Sequence, residues 1–156
     1  MHPPILGTRQ CTWPDEATCA GFAQGLAARP ELRHALIELH GPLGAGKTTF
    51  VRHLLRALGA TGRIKSPTYA VMEPYELPGL QAWHFDFYRF HDPREWEDAG
   101  LRDILTGPGL KLVEWAGQAG GLLPLADLKM ELAPAEHDQR HVTLDAYTPT
   151  GAALIA

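Results

Sequence analysis

Gly41-Pro42-Leu43-Gly44-Ala45-Gly46-Lys47-Thr48 fits the pattern G-x-x-x-x-G-K-[ST], and the residues on either side decide how it folds. Before it, Ala35-Leu36-Ile37-Glu38-Leu39 reads as a short buried strand. From Thr48 onward, Phe50, Val51, Leu54, Leu55 and Leu58 fall on one face of a helix that Gly59 ends. A loop passing from strand to helix brings several backbone amides to bear on one anion. Glycine lets those amides approach without Cβ clashes, and the helix N-terminus adds partial positive charge. Lys47 is placed to reach β- and γ-phosphates, and the Thr48 hydroxyl to hold Mg²⁺. The expected nucleotide contacts are Leu43, Gly44, Ala45, Gly46, Lys47, Thr48 and Thr49. An ordinary glycine-rich turn is the alternative. All four fixed positions and both flanking elements agree, so the chain is expected to bind a nucleoside triphosphate.

Outward from the loop, strands alternate with helices early and run as hairpins later. Leu6 to Thr12 reads as a first strand, and Pro14-Asp15 opens a helix whose apolar stripe is Cys19, Phe22, Ala23 and Leu26. Tyr69 to Leu77 and Leu80 to Tyr88 read as strands joined at Pro78-Gly79. Asp92-Pro93-Arg94-Glu95 resembles a capping box opening a helix that carries Trp96. Leu110 to Trp115 is a further strand, and residues 128–132 and 142–146 alternate as two more around the polar turn Glu136 to Arg140. The expected fold is α/β, a phosphate-loop NTPase domain spanning residues 1–156, with a mixed sheet parallel near the loop and antiparallel at the edge. The tail from Ala152 either packs back or frays.

A phosphate loop needs a carboxylate to organise Mg²⁺, usually at the end of a neighbouring strand. In Trp83-His84-Phe85-Asp86-Phe87-Tyr88-Arg89, alternation sets His84, Asp86 and Tyr88 on one face and three aromatics on the other. An acid among such rings is costly to bury unless it is paired or near a metal, so Asp86 is read as a Walker B-type aspartate; a strand-end cap is its alternative. Glu114 ends Leu110-Lys111-Leu112-Val113-Glu114-Trp115 in the same way, and ligands of open α/β sheets lie beyond the carboxyl ends of strands. Glu114 can ligate Mg²⁺, directly or through water, or orient an attacking water; a surface salt bridge is the bland reading. Trp115 either lines the nucleotide site or belongs to the core. In Lys65-Ser66-Pro67-Thr68-Tyr69, Thr68 is either a sensor of Mg²⁺ and the γ-phosphate or part of a plain turn.

Composition removes other classes. The 156 residues carry 45% hydrophobic and 21% charged residues and no apolar run near the ~20 that a membrane helix needs. With no signal-like N-terminus, a cytoplasmic protein is the simplest expectation. Cys11 and Cys19 form neither a disulfide framework nor a zinc pattern. The net charge of −4 argues against a free-standing nucleic-acid binder.

Taken in order, Gly41 to Thr48, Ser66-Pro67-Thr68-Tyr69, His84-Phe85-Asp86-Phe87-Tyr88-Arg89 and Val113-Glu114-Trp115 closely resemble the TsaE (YjeE) family. Its members are small bacterial ATPases needed to make threonylcarbamoyladenosine in tRNA. The resemblance implies ATP and Mg²⁺ as cofactors, TsaB and TsaD as partners, and tRNA met only through that complex. It implies a catalytic set of Lys47, Asp86, Glu114 and Thr68, metal contacts from Thr48, Glu114 and Asp86, and a nucleotide site that includes Trp115. It also sets the helix start near Asp15 to Thr18 by the adenine, with Arg140 as a surface residue unless the late hairpin brings it to the nucleotide.

A Ras-type GTPase is disfavoured because its guanine-reading motif needs Asn, which the chain lacks. A small-molecule kinase usually has an arginine-rich lid, and here only Arg89, Arg94 and Arg102 are candidates. The rival from another class is a nucleotide-dependent interaction module whose bound state matters more than its turnover.

Overall fold

The computed structural model describes residues 3–64, 71–89, 100–119 and 123–156. The Lys65–Tyr69 segment with Thr68, and the helix expected from Asp92 with Trp96, lie outside the described residues.

The centre of the molecule is set by two strands without a polar face. β2 (Leu36–His40) and β5 (Leu110–Glu114) are buried almost throughout, as befits parallel strands covered on both sides. They pair in parallel with each other, and β2 also pairs in parallel with β6 (Leu128–Pro134). β4 (Leu80–Asp86) lies parallel to β5 on its other side. The register puts Asp86 opposite Glu114 and Glu114 opposite Leu39, so three strand ends finish together.

Antiparallel pairing occurs at both edges rather than one. β3 (Met72–Leu77) hairpins onto β4 through Pro78-Gly79, where Gly79 takes φ 67°. At the opposite edge β7 (Arg140–Ala146) pairs antiparallel with β6, and β1 (Gly7–Trp13) pairs antiparallel with β7. The full order is β1-β7-β6-β2-β5-β4-β3 in one seven-stranded sheet.

α1 (Glu16–Ala27) begins at Asp15, whose carboxylate accepts the Thr18 N–H at 2.8 Å and the Thr18 hydroxyl at 2.7 Å. It buries Cys19, Ala23 and Leu26 against α2 (Lys47–Ala57), which buries Phe50, Val51, Leu54 and Leu55. Phe22 closes the top of this layer, 5.5 Å from Trp13 and 6.2 Å from Phe50 between ring centroids. Burial pushes the Cys19 thiol up to about 11, so it behaves as a small apolar side chain. On the other face, Phe85, Phe87 and Val113 form a second core with Leu101 and Leu105 of α3 (Leu101–Thr106).

The chain's end packs back. α4 (Pro149–Leu154) is capped by Thr148, whose hydroxyl accepts the Gly151 N–H at 3.1 Å and donates to Asp127 at 2.7 Å. Arg29 holds it through the carbonyls of Ala153 and Ala156. No helix among the described residues is long and apolar enough to cross a membrane.

Candidate functional site

Where β2 stops, the backbone turns through positions that a side chain would block. Gly41 has φ 142°, and a Cβ there would lie 2.4 Å from the Leu132 carbonyl oxygen of β6. Gly46, at φ 103°, immediately precedes α2. The loop is thus laid tightly over β6 and opens a helix whose first amides face outward.

A second strand fixes that loop. Arg140, the first residue of β7, donates Nε–H to the Ala45 carbonyl at 2.7 Å and Nη2–H to the Gly44 carbonyl at 3.3 Å. Its Nη1 donates to the carbonyls of Asp138 and Gln139, both at 3.0 Å. The surface-arginine expectation is therefore corrected. The guanidinium is a clasp between β7 and the loop, and its donors are turned to backbone oxygens. Holding the Ala45 carbonyl toward Arg140 points the N–H of Gly46, across the same peptide plane, the other way.

Lys47 is only 5% exposed. Its Nζ donates to the Gly41 carbonyl at 2.6 Å and lies 3.7 Å from the centroid of the Trp115 ring. Burial holds the ammonium below its usual range, while Glu114, Asp86 and Glu131 pull it back up.

Opposite stand the two acids. Glu114 is 2% exposed, which removes the surface-salt-bridge reading. Both its oxygens lie 3.2 Å from the donating Thr48 hydroxyl, and Oε2 accepts from His84 Nε2 at 2.6 Å. Asp86 Oδ1 accepts the Tyr88 N–H at 3.0 Å, so it does cap the strand-end turn, and the same side chain lines the cavity beside Lys47 and Thr48. Desolvation raises the Asp86 carboxyl above its usual range against the opposing Tyr88 hydrogen bond, and nearby Glu114 raises it further. Trp115 is not simple core. It turns the chain at φ 58°, sets its ring at 51° to that of Tyr88 with centroids 4.9 Å apart, and covers Lys47.

Leu43, Gly44, Gly46, Lys47, Thr48, Thr49, Asp86, Glu114 and Trp115 line one cavity of about 260 Å³. Leu43 is 66% exposed at its rim. Ala45 lines an adjoining cavity of about 180 Å³, with Trp13, Asp15, Glu16 and Cys19; Gly46, Thr49 and Arg140 belong to both. Thr68 alone of the expected site residues lies outside the described segments. One participant, His84, escaped the sequence reading. His84 was read only as a facing residue, although a histidine two places before Asp86 on the same strand face was its signal. Arg140 was left open between a surface residue and one that the late hairpin brings to the site, and it lines both cavities.

The donors suit Mg²⁺: one hydroxyl and two carboxylates, all hard oxygens, on one wall of a cavity whose other wall is cationic. Among the described residues no three His, Cys, Asp or Glu side chains form a metal cage.

Fold and site together define a mixed α/β protein with a glycine-rich strand-to-helix loop facing paired acids. A sequence model described as threonylcarbamoyl adenosine biosynthesis protein TsaE matches residues 13–142, and the chain belongs to that family. A tRNA threonylcarbamoyladenosine biosynthesis protein TsaE from Haemophilus influenzae is 38% identical over 135 residues, covering 86% of this chain and 85% of the relative. The protein of the same name from Bacillus subtilis is 39% identical over 111 residues, covering 71% of this chain and 69% of the relative. Among solved structures, Bacillus subtilis YdiB superposes with a TM-score of 0.79 at 27% identity, covering 97% of this chain and 94% of that one.

Proposed function

We propose that this chain is the Mg²⁺-dependent ATPase of the bacterial machinery that forms N6-threonylcarbamoyladenosine in tRNA, a phosphate-loop NTPase domain acting in the cytoplasm with TsaB and TsaD. The names of its relatives support the pathway. One observation carries the chemistry: the Thr48 hydroxyl at the start of α2 is bonded to both oxygens of Glu114, across the strand ladder from Asp86 and beside Lys47.

The triphosphate lies along the loop from Leu43 to Thr49, with the base in the adjoining cavity between Trp13 and the start of α1. On binding, Lys47 exchanges the Gly41 carbonyl for phosphate oxygens and stays covered by Trp115. Thr48, Glu114 and Asp86 would hold the Mg²⁺, which would supply charge neutralisation at the phosphates. Among the described residues, half-buried Asp86 has one carboxylate oxygen left over from its turn hydrogen bond, which suits it to hold a water or the ion. Thr68 completes the catalytic set.

Every Arg140 nitrogen is already bonded to a carbonyl, so this arginine is not poised to meet charge developing on a transferring phosphoryl group. An arginine in that role supplies about 10³–10⁵ in rate, and turnover is accordingly slow without partners. This feature also favours the interaction-module reading enough to test it. Purified chain, partners and tRNA are mixed, and phosphate release and tRNA modification are followed together. With Glu114→Ala, the ATPase reading expects complex assembly but no repeated rounds of modification. Full modification by that variant hands the case to the module.

A further inference from the structure

His84 is 1% exposed, yet its ring is only half satisfied. Nε2 lies 2.6 Å from Glu114 Oε2, while buried Nδ1 finds no hydrogen-bond partner among the described residues. A carboxylate only accepts, so Nε2 is the nitrogen that donates to Glu114. If packing alone mattered, a leucine would fill this place without leaving a buried polar atom unmet. The strand places the ring with care: His84 sits two residues before Asp86 on the sheet face that also carries Leu112 and Glu114. Glu114 is therefore gripped from two sides, by the imidazole at Oε2 and by Thr48 at both oxygens.

We infer that His84 is a positioning residue that assigns the two oxygens of Glu114 different tasks. Its Nε2–H occupies Oε2, and Oε1 is left to turn with the Thr48 oxygen toward a divalent cation. The inference rests on the nucleotide-and-metal reading above and adds a residue that never touches nucleotide or ion. A hydrogen bond from a buried ring both fixes a ligand's rotamer and limits which lone pairs it offers, and losing such outer support weakens metal binding by about 10–100-fold.

The test uses the full chain and a non-hydrolysable ATP analogue, with affinity measured by calorimetry in EDTA and across a Mg²⁺ series. His84→Gln keeps an N–H near the position of Nε2; His84→Leu fills the space without a donor; His84→Asn is too short to reach. In EDTA all folded variants should bind the analogue within about twofold of wild type. The Mg²⁺ needed for half of the metal effect should rise about tenfold or more in His84→Leu and His84→Asn, and His84→Gln should recover most of the loss. Should His84→Leu fail to fold, His84→Asn carries the comparison. The inference is overturned if the donorless variants keep the wild-type Mg²⁺ dependence, if His84→Gln is as impaired as they are, or if affinity in EDTA falls in parallel. Wild-type protein that binds no analogue, or binds it without regard to Mg²⁺, overturns the nucleotide-and-metal reading instead and takes this one with it.

Discussion

Asp86 and Lys47 are held where water would solvate them better, and both are displaced by that burial, the acid upward and the amine downward. For Asp86 the sign follows from proton linkage. A carboxyl whose folded-state pKa is raised binds protons more readily folded than unfolded, so stability falls as pH rises from the unfolded value of 3.8 through the folded one. At neutral pH the charged form is a cost to the empty protein. Asp86→Asn should therefore raise the melting temperature and flatten its decline with pH on the acid side of neutrality, while weakening Mg²⁺-dependent nucleotide binding. A lower melting temperature at pH 7 would contradict this assignment. At Arg140 the expectation is the reverse. Arg140→Ala strips the hydrogen bonds from the carbonyls of Gly44 and Ala45, and net losses of about 1–3 kcal/mol follow when charged donors are removed. Chemical denaturation should show that loss, and nucleotide affinity should drop with it. Arg140→Lys should recover only part, since one ammonium cannot span the same set of carbonyls.

Among the elements, β2 with its loop and α2 was the most legible, because strand, glycines and helix follow one another within a few residues. The two acids were legible for a related reason: each ends a short apolar strand. What spacing could not supply was the order of those strands. Glu114 meets Thr48 only because β5 lies beside β2, and His84 meets Glu114 only because β4 lies beside β5. Arg140 reaches the loop because β7 follows β6 at the other side of β2. These are products of crossovers and register, and a single chain's local periodicity does not contain them. The same reason hid the second antiparallel edge, where β1 joins β7 across most of the chain's length. The loop's dependence on β6 is itself testable. Gly41→Ala sets a Cβ at 2.4 Å from the Leu132 carbonyl and imposes φ 142° on a side-chain-bearing residue. We expect about 3 kcal/mol of destabilisation by urea titration. A loss near zero would mean that the loop lifts freely off β6.

For the whole molecule, the net charge of −4 fits the proposal that this chain serves tRNA modification without holding RNA itself. Its pocket sets the buried Lys47 and the glycine-rich turn before α2 against two acids, Asp86 and Glu114. Large turnover by the isolated chain, measured as phosphate release, would contradict the inference drawn from Arg140, whereas stimulation by the proposed partners, TsaB and TsaD, fits it. The most direct test of the central claim is calorimetric titration of ATP with Mg²⁺ into wild type and Lys47→Ala. The account predicts one binding site in the wild type and none detectable in a variant that still melts cooperatively. Equal affinity in the two proteins, or no binding to either, would contradict it.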